Sequence, residues 1–177
     1  MKEFRYIGKD APRPDGPDKA TGRATYIHDL QRPGMLYGQV RFSEHAHARI
    51  VNIDTSRAER LPGVRAVITA QNTPEIRVGF LKDNVALKGD KVRQYRDEVA
   101  AVAAIDPDIA REAAALIDVE YEPLPAVFDP FEAQGPDAPR LHETDARGRP
   151  LDSNVLPLTY HHLSGDLDEG RRQAKYE

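Results

Sequence analysis

The chain has 177 residues, enough for one domain with an appended segment and for a hydrophobic core that needs no staples. It contains no cysteine, which excludes disulfides, thiolate metal sites, iron–sulfur ligation and cysteine nucleophiles. Its 25 Lys and Arg against 29 Asp and Glu give a net charge of −4 without long single-sign runs, which argues against a nucleic-acid wrapper.

No apolar stretch approaches the roughly 18 to 20 residues that cross a bilayer, and the first nine residues lack a signal-peptide core, so a cytoplasmic protein is expected. Clusters of Pro and Gly divide the chain. Residues 1–16, which end within the APRPDGP cluster of 11–17, read as an irregular N-terminal arm. A dense, periodic part spans 17–133. From 134 to 157 Pro, Gly, Asp and Arg dominate and no period persists, so 134–177 begins as an extended linker or wrapping arm.

Within the dense part, residues 35–42 (MLYGQVRF) set Leu36, Gly38, Val40 and Phe42 against Tyr37, Gln39 and Arg41, the alternation of a half-buried strand. A second short strand is predicted over 48–53. Ser56, with Glu59 three residues on, forms a candidate capping box for a short helix that Pro62 and Gly63 stop. Residues 64–69 (VRAVIT) resume as strand. The unbroken apolar run 99–105 (VAAVAAI) predicts a strand covered on both faces.

Asp106 then serves as N-cap, Pro107 as the first helical residue and Asp108 as an acidic first-turn residue. Ile109, Ala113, Leu116 and Ile117 line one apolar stripe of the helix that follows. Residues 118–122 (DVEYE) alternate as a strand that Pro123 and Pro125 end. Strand, helix and strand joined this closely predict a parallel, right-handed βαβ unit, hence an α+β domain with a mixed sheet of short strands.

Few residues suggest chemistry. His45 and His47 in SEHAHAR are one residue apart, so on a strand both rings would leave one face, as paired metal ligands do. No third ligand is signalled, which favours ordinary loop histidines. His161 and His162 are adjacent and would point apart, as solvated tail residues. Gly165, Asp166, Asp168 and Glu169 (GDLDEG) superficially suggest a calcium loop. They lack its twelve-residue spacing and closing Glu, and they suit the start of a helix better. Asp97 and Glu98 are an acidic pair suited to proton transfer if desolvated, although their place at a strand entrance predicts an exposed edge. No phosphate-cradling glycine motif and no nucleophile elbow is present.

Two longer stretches carry a family resemblance. DKATGRATY over 18–26, with RFSEHAHARIVNIDTSRAERLPGVRAVITA over 41–70, resembles the start of the molybdenum-binding subunit of the xanthine dehydrogenase and aldehyde oxidase family. DKVRQYRDEVAAVAAIDPDIAREAAALIDVEYEPLPAVFDP over 90–130 is similar to the second half of the same N-terminal domain, the α/β hammerhead. In detail the stretches are most similar to the large subunit of 4-hydroxybenzoyl-CoA reductase-like enzymes.

The resemblance implies a hammerhead domain over 17–133, followed by a linker and the start of a truncated molybdopterin-binding domain in 134–177. It implies membership of a larger enzyme that uses a molybdenum pterin cofactor on aromatic acyl-CoA or related aromatic or aldehyde substrates. Iron–sulfur clusters and FAD would sit on partner subunits or other domains. The family's glutamate base and cofactor segments lie beyond the hammerhead, so the resemblance assigns no catalytic, cofactor-binding or metal-ligating residue here. Gly170 and Arg171 depart from the small and aromatic pair usual in the family, and Asp97 and Glu98 stand where it often has Gly with Gln or Asp, then Pro. These features describe a structural piece of an oxidoreductase, inactive alone and prone to self-association. The competing reading is an independent binding or assembly module that shares the fold.

Overall fold

The structure is a computed structural model and describes residues 5–79, 82–145, 147–156, 160–162 and 164–176. Residues 1–4 of the N-terminal arm and Pro157 of the linker lie outside the described residues.

A short helix, α1 (Gly16–Ala20), precedes the strands β1 (Tyr37–Phe42) and β2 (Ala48–Asp54), the single-turn helix α2 (Ser56–Glu59) and strand β3 (Val64–Thr69). Three two-residue strands follow: β4 (Arg77–Val78), β5 (Asn84–Val85) and β6 (Lys91–Val92). Strand β7 (Glu98–Ala104), helix α3 (Pro107–Leu116) and strand β8 (Asp118–Pro123) complete the domain, and α4 (Leu167–Gln173) lies near the C-terminus.

The strands form two three-stranded sheets, ordered β1-β7-β3 and β6-β2-β8, and a β4-β5 ribbon. This is a small α/β domain with small sheets, as the hammerhead expectation requires. Its predicted crossover is corrected in one respect. Strand, helix and strand occur in the expected order, but β7 and β8 enter different sheets, and every strand pair among the described residues is antiparallel. The reason is that both partners of β7 come from earlier in the chain, β1 on one side and β3 on the other, and occupy both of its edges. With no edge of β7 free, α3 carries the chain to β2 instead, where Tyr121 stands opposite Ile50 and Val119 opposite Ile53.

The central position of β7 explains its apolar run. Val99, Ala100, Val102 and Ala104 are buried, whereas Ile105, at the predicted end of the strand, emerges into solvent. Helix α3 packs across β1 and β7 and meets α2. Its buried face is Ala110, Ala113, Ala114 and Ile117, so the stripe is shifted from the predicted one and consists mainly of small residues that let backbones approach closely. The N-terminus of α3 matches the sequence reading: Asp106 Oδ1 accepts from the backbone N–H groups of Asp108 at 2.8 Å and Ile109 at 3.3 Å.

The cap of α2 differs from the predicted Ser56–Glu59 box. Thr55 is the N-cap residue, its hydroxyl donates to Glu59 at 2.7 Å, and Asp54 accepts from the Ser56 N–H at 2.9 Å. Pro62 and Gly63 do stop the helix. Gly63 adopts φ +98°, and a Cβ there would lie 2.8 Å from Ile109 Cδ1, so the turn beneath α3 requires glycine.

Candidate functional site

Of the acidic pair at the entrance of β7, Asp97 departs from the exposed edge expected of it, whereas the Glu98 side chain is half-exposed. Asp97 is buried and faces the equally buried Lys88, whose Nζ lies 3.4 Å from Asp97 Oδ1. The other Asp97 carboxylate oxygen accepts from the backbone N–H groups of Arg93 at 2.7 Å and Gln94 at 3.3 Å. Lys88 also donates to Glu98 and to the Val85 carbonyl, both at 3.0 Å. Burial alone would push the Glu98 carboxyl up, but the Lys88 hydrogen bond and charge outweigh it and hold the group below its ordinary value.

Lys88 and Asp97 are both buried and hydrogen-bonded, whereas the Glu98 side chain stays half-exposed. The buried pair fixes the 93–97 turn, because the Ser43 N–H donates to the Asp97 carbonyl at 2.9 Å and the Arg96 N–H to the Ser43 carbonyl at 3.1 Å. The sequence carried no mark of Lys88, which sits in a polar, glycine-containing stretch that reads as a solvated turn.

A cavity of about 570 Å³ opens beside this cluster, between the end of β3, the β4-β5 ribbon and the segment 142–144. Ile68, Ile76, Arg77, Arg93, His142 and Glu143 are among its walls. Lys91 Nζ reaches Glu143 at 2.5 Å and the Arg140 carbonyl at 3.4 Å, and Arg93 Nε donates to the Leu141 carbonyl at 2.8 Å. Asn154 closes the same loop. It accepts from the Leu141 N–H and donates to the Ala133 and Pro139 carbonyls, each at 3.0 Å. The chain from Glu132 onward therefore returns along β6, and its regular structure among the described residues is a single helical turn at Glu132–Gln134 and, further on, α4.

Two titrations are displaced here. Burial, reinforced by Arg93, lowers the His142 imidazole, and the Lys91 hydrogen bond lowers the Glu143 carboxyl against an opposing burial effect.

The histidines serve different partners. His47 is buried and its Nδ1 donates to the Pro125 carbonyl at 2.6 Å, fastening the start of β2 to the chain that leaves β8. The His45 ring packs against Tyr121, with centroids 4.8 Å apart. The pair therefore does not converge on one ligand position. His161 and His162 are both exposed. Among the described residues no group of three or more His, Cys, Asp or Glu is placed to hold a metal ion. The GDLDEG segment starts α4, and Asp166 Oδ1 accepts from the Asp168 and Glu169 N–H groups at 3.0 Å, the helix-start reading rather than the calcium-loop one. Among the described residues no helix is long and apolar enough to cross a membrane.

Residues 21–125 match the family model described as aldehyde oxidase and xanthine dehydrogenase, a/b hammerhead domain. The chain belongs to this family. It is 42% identical over 160 residues to a probable xanthine dehydrogenase subunit of Bacillus subtilis, covering 89% of this chain and 20% of that protein. It is 36% identical over 176 residues to the nicotinate dehydrogenase large molybdopterin subunit of Eubacterium barkeri, covering 98% of this chain and 39% of that one.

The reconstituted CO dehydrogenase from Oligotropha carboxidovorans superposes with a TM-score of 0.67 at 42% identity, over 75% of this chain and 17% of its own. The hammerhead chain thus spans well under half the length of these relatives. Of the charged groups that line the cavity at the 142–144 segment, Arg93 and Glu143 hold the 140–154 stretch, and Arg77 pairs with Glu75.

Proposed function

We propose that this chain forms the N-terminal part of the molybdenum-binding large subunit of a multi-subunit hydroxylase. In this role it supplies the hammerhead domain over 17–133, and 134–177 leads into the first molybdopterin-binding domain. The observation that carries the reading is the similarity to a large molybdopterin subunit along 98% of the chain. The buried Lys88–Asp97 pair agrees with it, since these ionisable groups hold a turn in place.

In the assembled enzyme the domain would brace the large subunit against iron–sulfur and FAD partners and wall part of the substrate funnel. Substrates follow the relatives' names: a hydroxylatable ring carbon, as in xanthine or nicotinate, is favoured over the aromatic acyl-CoA thioester of a 4-hydroxybenzoyl-CoA reductase-like enzyme. The test is reconstitution, in which this chain is combined with the remainder of the large subunit and the iron–sulfur and FAD subunits. Molybdenum content and turnover are then measured with N-heterocycles and with aromatic acyl-CoA esters. Molybdenum retention and heterocycle hydroxylation only in the mixture would support the reading. Turnover by this chain alone would refute it, and acyl-CoA turnover without heterocycle turnover would restore the narrower reductase branch.

A further inference from the structure

Away from the cavity at the 142–144 segment, the 93–97 turn, the end of β1 and one side of α3 border an open surface groove of about 400 Å³. Its lining includes three guanidinium groups, Arg41, Arg96 and Arg111, with the single carboxylate of Glu44 and the exposed ring of Tyr95. We propose that this groove binds a soluble phosphate-bearing small molecule, its oxyanion held by the three arginines. The inference does not depend on the enzymatic role proposed above.

Three observations support it. First, Arg96 adopts φ +67°, uncommon for a non-glycine residue, and its surroundings hold the turn in that conformation. Those surroundings are the buried Lys88–Asp97 pair and the Asp97 hydrogen bonds to the Arg93 and Gln94 N–H groups, which hold the turn rigid.

Second, the guanidinium of Arg96 lies 4.7 Å over the Phe42 ring and makes no ion pair among the described residues, so its donors are oriented and uncommitted. Third, Arg41 Nε is a buried donor with no acceptor among the described residues, and the Arg41 contact to Glu44 is a long 3.3 Å. A buried unsatisfied donor is costly, and an anion oxygen would relieve it. Arg111 is held by Asp108 at 2.5 Å on the rim, which leaves its other donors for a ligand. Forked guanidinium donors suit phosphate oxygens. The volume falls within the range of about 300 to 1,000 Å³ usual for small-ligand sites.

The test is calorimetric titration of the full 177-residue chain with inorganic pyrophosphate at about 0.15 M ionic strength. Arg96→Gly is the decisive variant because glycine accepts φ +67° without strain, so the protein should melt no lower while losing the guanidinium. Pyrophosphate binding that weakens at least about tenfold in both Arg96→Gly and Arg111→Ala, and is unchanged in Arg77→Ala at the other cavity, would establish the site. No binding heat, equal weakening in Arg77→Ala, or citrate binding as tightly as pyrophosphate would overturn it.

Discussion

Lys88 Nζ and Asp97 Oδ1 lie 3.4 Å apart, with side chains only 2% and 3% exposed. Breaking a buried pair from one side leaves a charge without compensation, so Lys88→Met should cost about 3–5 kcal/mol in urea unfolding. Adding Asp97→Asn should recover part of that loss, because the amide oxygen still accepts from Arg93 N–H while the uncompensated charge is gone. Equal stability of the single and double variants would show that the pair is not coupled.

Gly63→Ala should destabilise by about 1–3 kcal/mol. The residue has φ +98° and its new methyl would meet Ile109 Cδ1 at 2.8 Å and Ile105 Cγ1 at 3.2 Å. Thermal melts monitored by circular dichroism check this, and an unchanged melting temperature would mean that the turn under α3 shifts freely.

Asp106→Ala removes the acceptor for two backbone N–H groups at the start of α3 and should cost about 1 kcal/mol in chemical denaturation. Asp106→Asn should be close to neutral, which separates capping from charge.

The hold on the 140–154 segment should weaken in acid. His142 and Glu143 both have folded-state values below their ordinary ones, so the unfolded chain binds protons more readily, and stability present at neutral pH is lost as pH falls through the folded values. His142 acts first, from its ordinary value of 6.5 downward, and Glu143 follows from 4.5 downward. Hydrogen exchange of the 140–154 amides between pH 7 and pH 4 reads the loss. In His142→Asn the upper part of the pH dependence should vanish.

The isolated chain should self-associate. Phe128 and Phe131 are 84% and 81% exposed, and Val51 and Ile68 add apolar surface on the strands. Elution on size exclusion should shift earlier with concentration and recover in a Phe128→Ser, Phe131→Ser double variant; a constant monomeric position at all concentrations would contradict this.

What could be read from the sequence was local. The strand over 64–69, the Asp106–Pro107 helix start and the α3–β8 junction follow from contiguous residues, and each stands within a residue or two of its predicted place. Pairing was not legible, because whether β8 joins β7 or β2 depends on which edges earlier strands already fill. Asp97 misled for a related reason. Its burial depends on Lys88, nine positions away across a turn, and a polar stretch gives no periodic signal that one of its lysines turns inward. The Arg41, Arg96 and Arg111 groove was equally hidden, since those residues come from a strand, a turn and a helix.

The sheet order also has a consequence for biosynthesis. β7 is the middle strand of one sheet, and β8 supplies an edge of the other. As the ribosome extends the chain, β1 and β3 must therefore wait for their common partner until residues 98–104 emerge, and β2 lacks its longer neighbour until residue 123 does. Through that interval the nascent strands carry unpaired edges, a window in which chaperone capture or aggregation competes with folding.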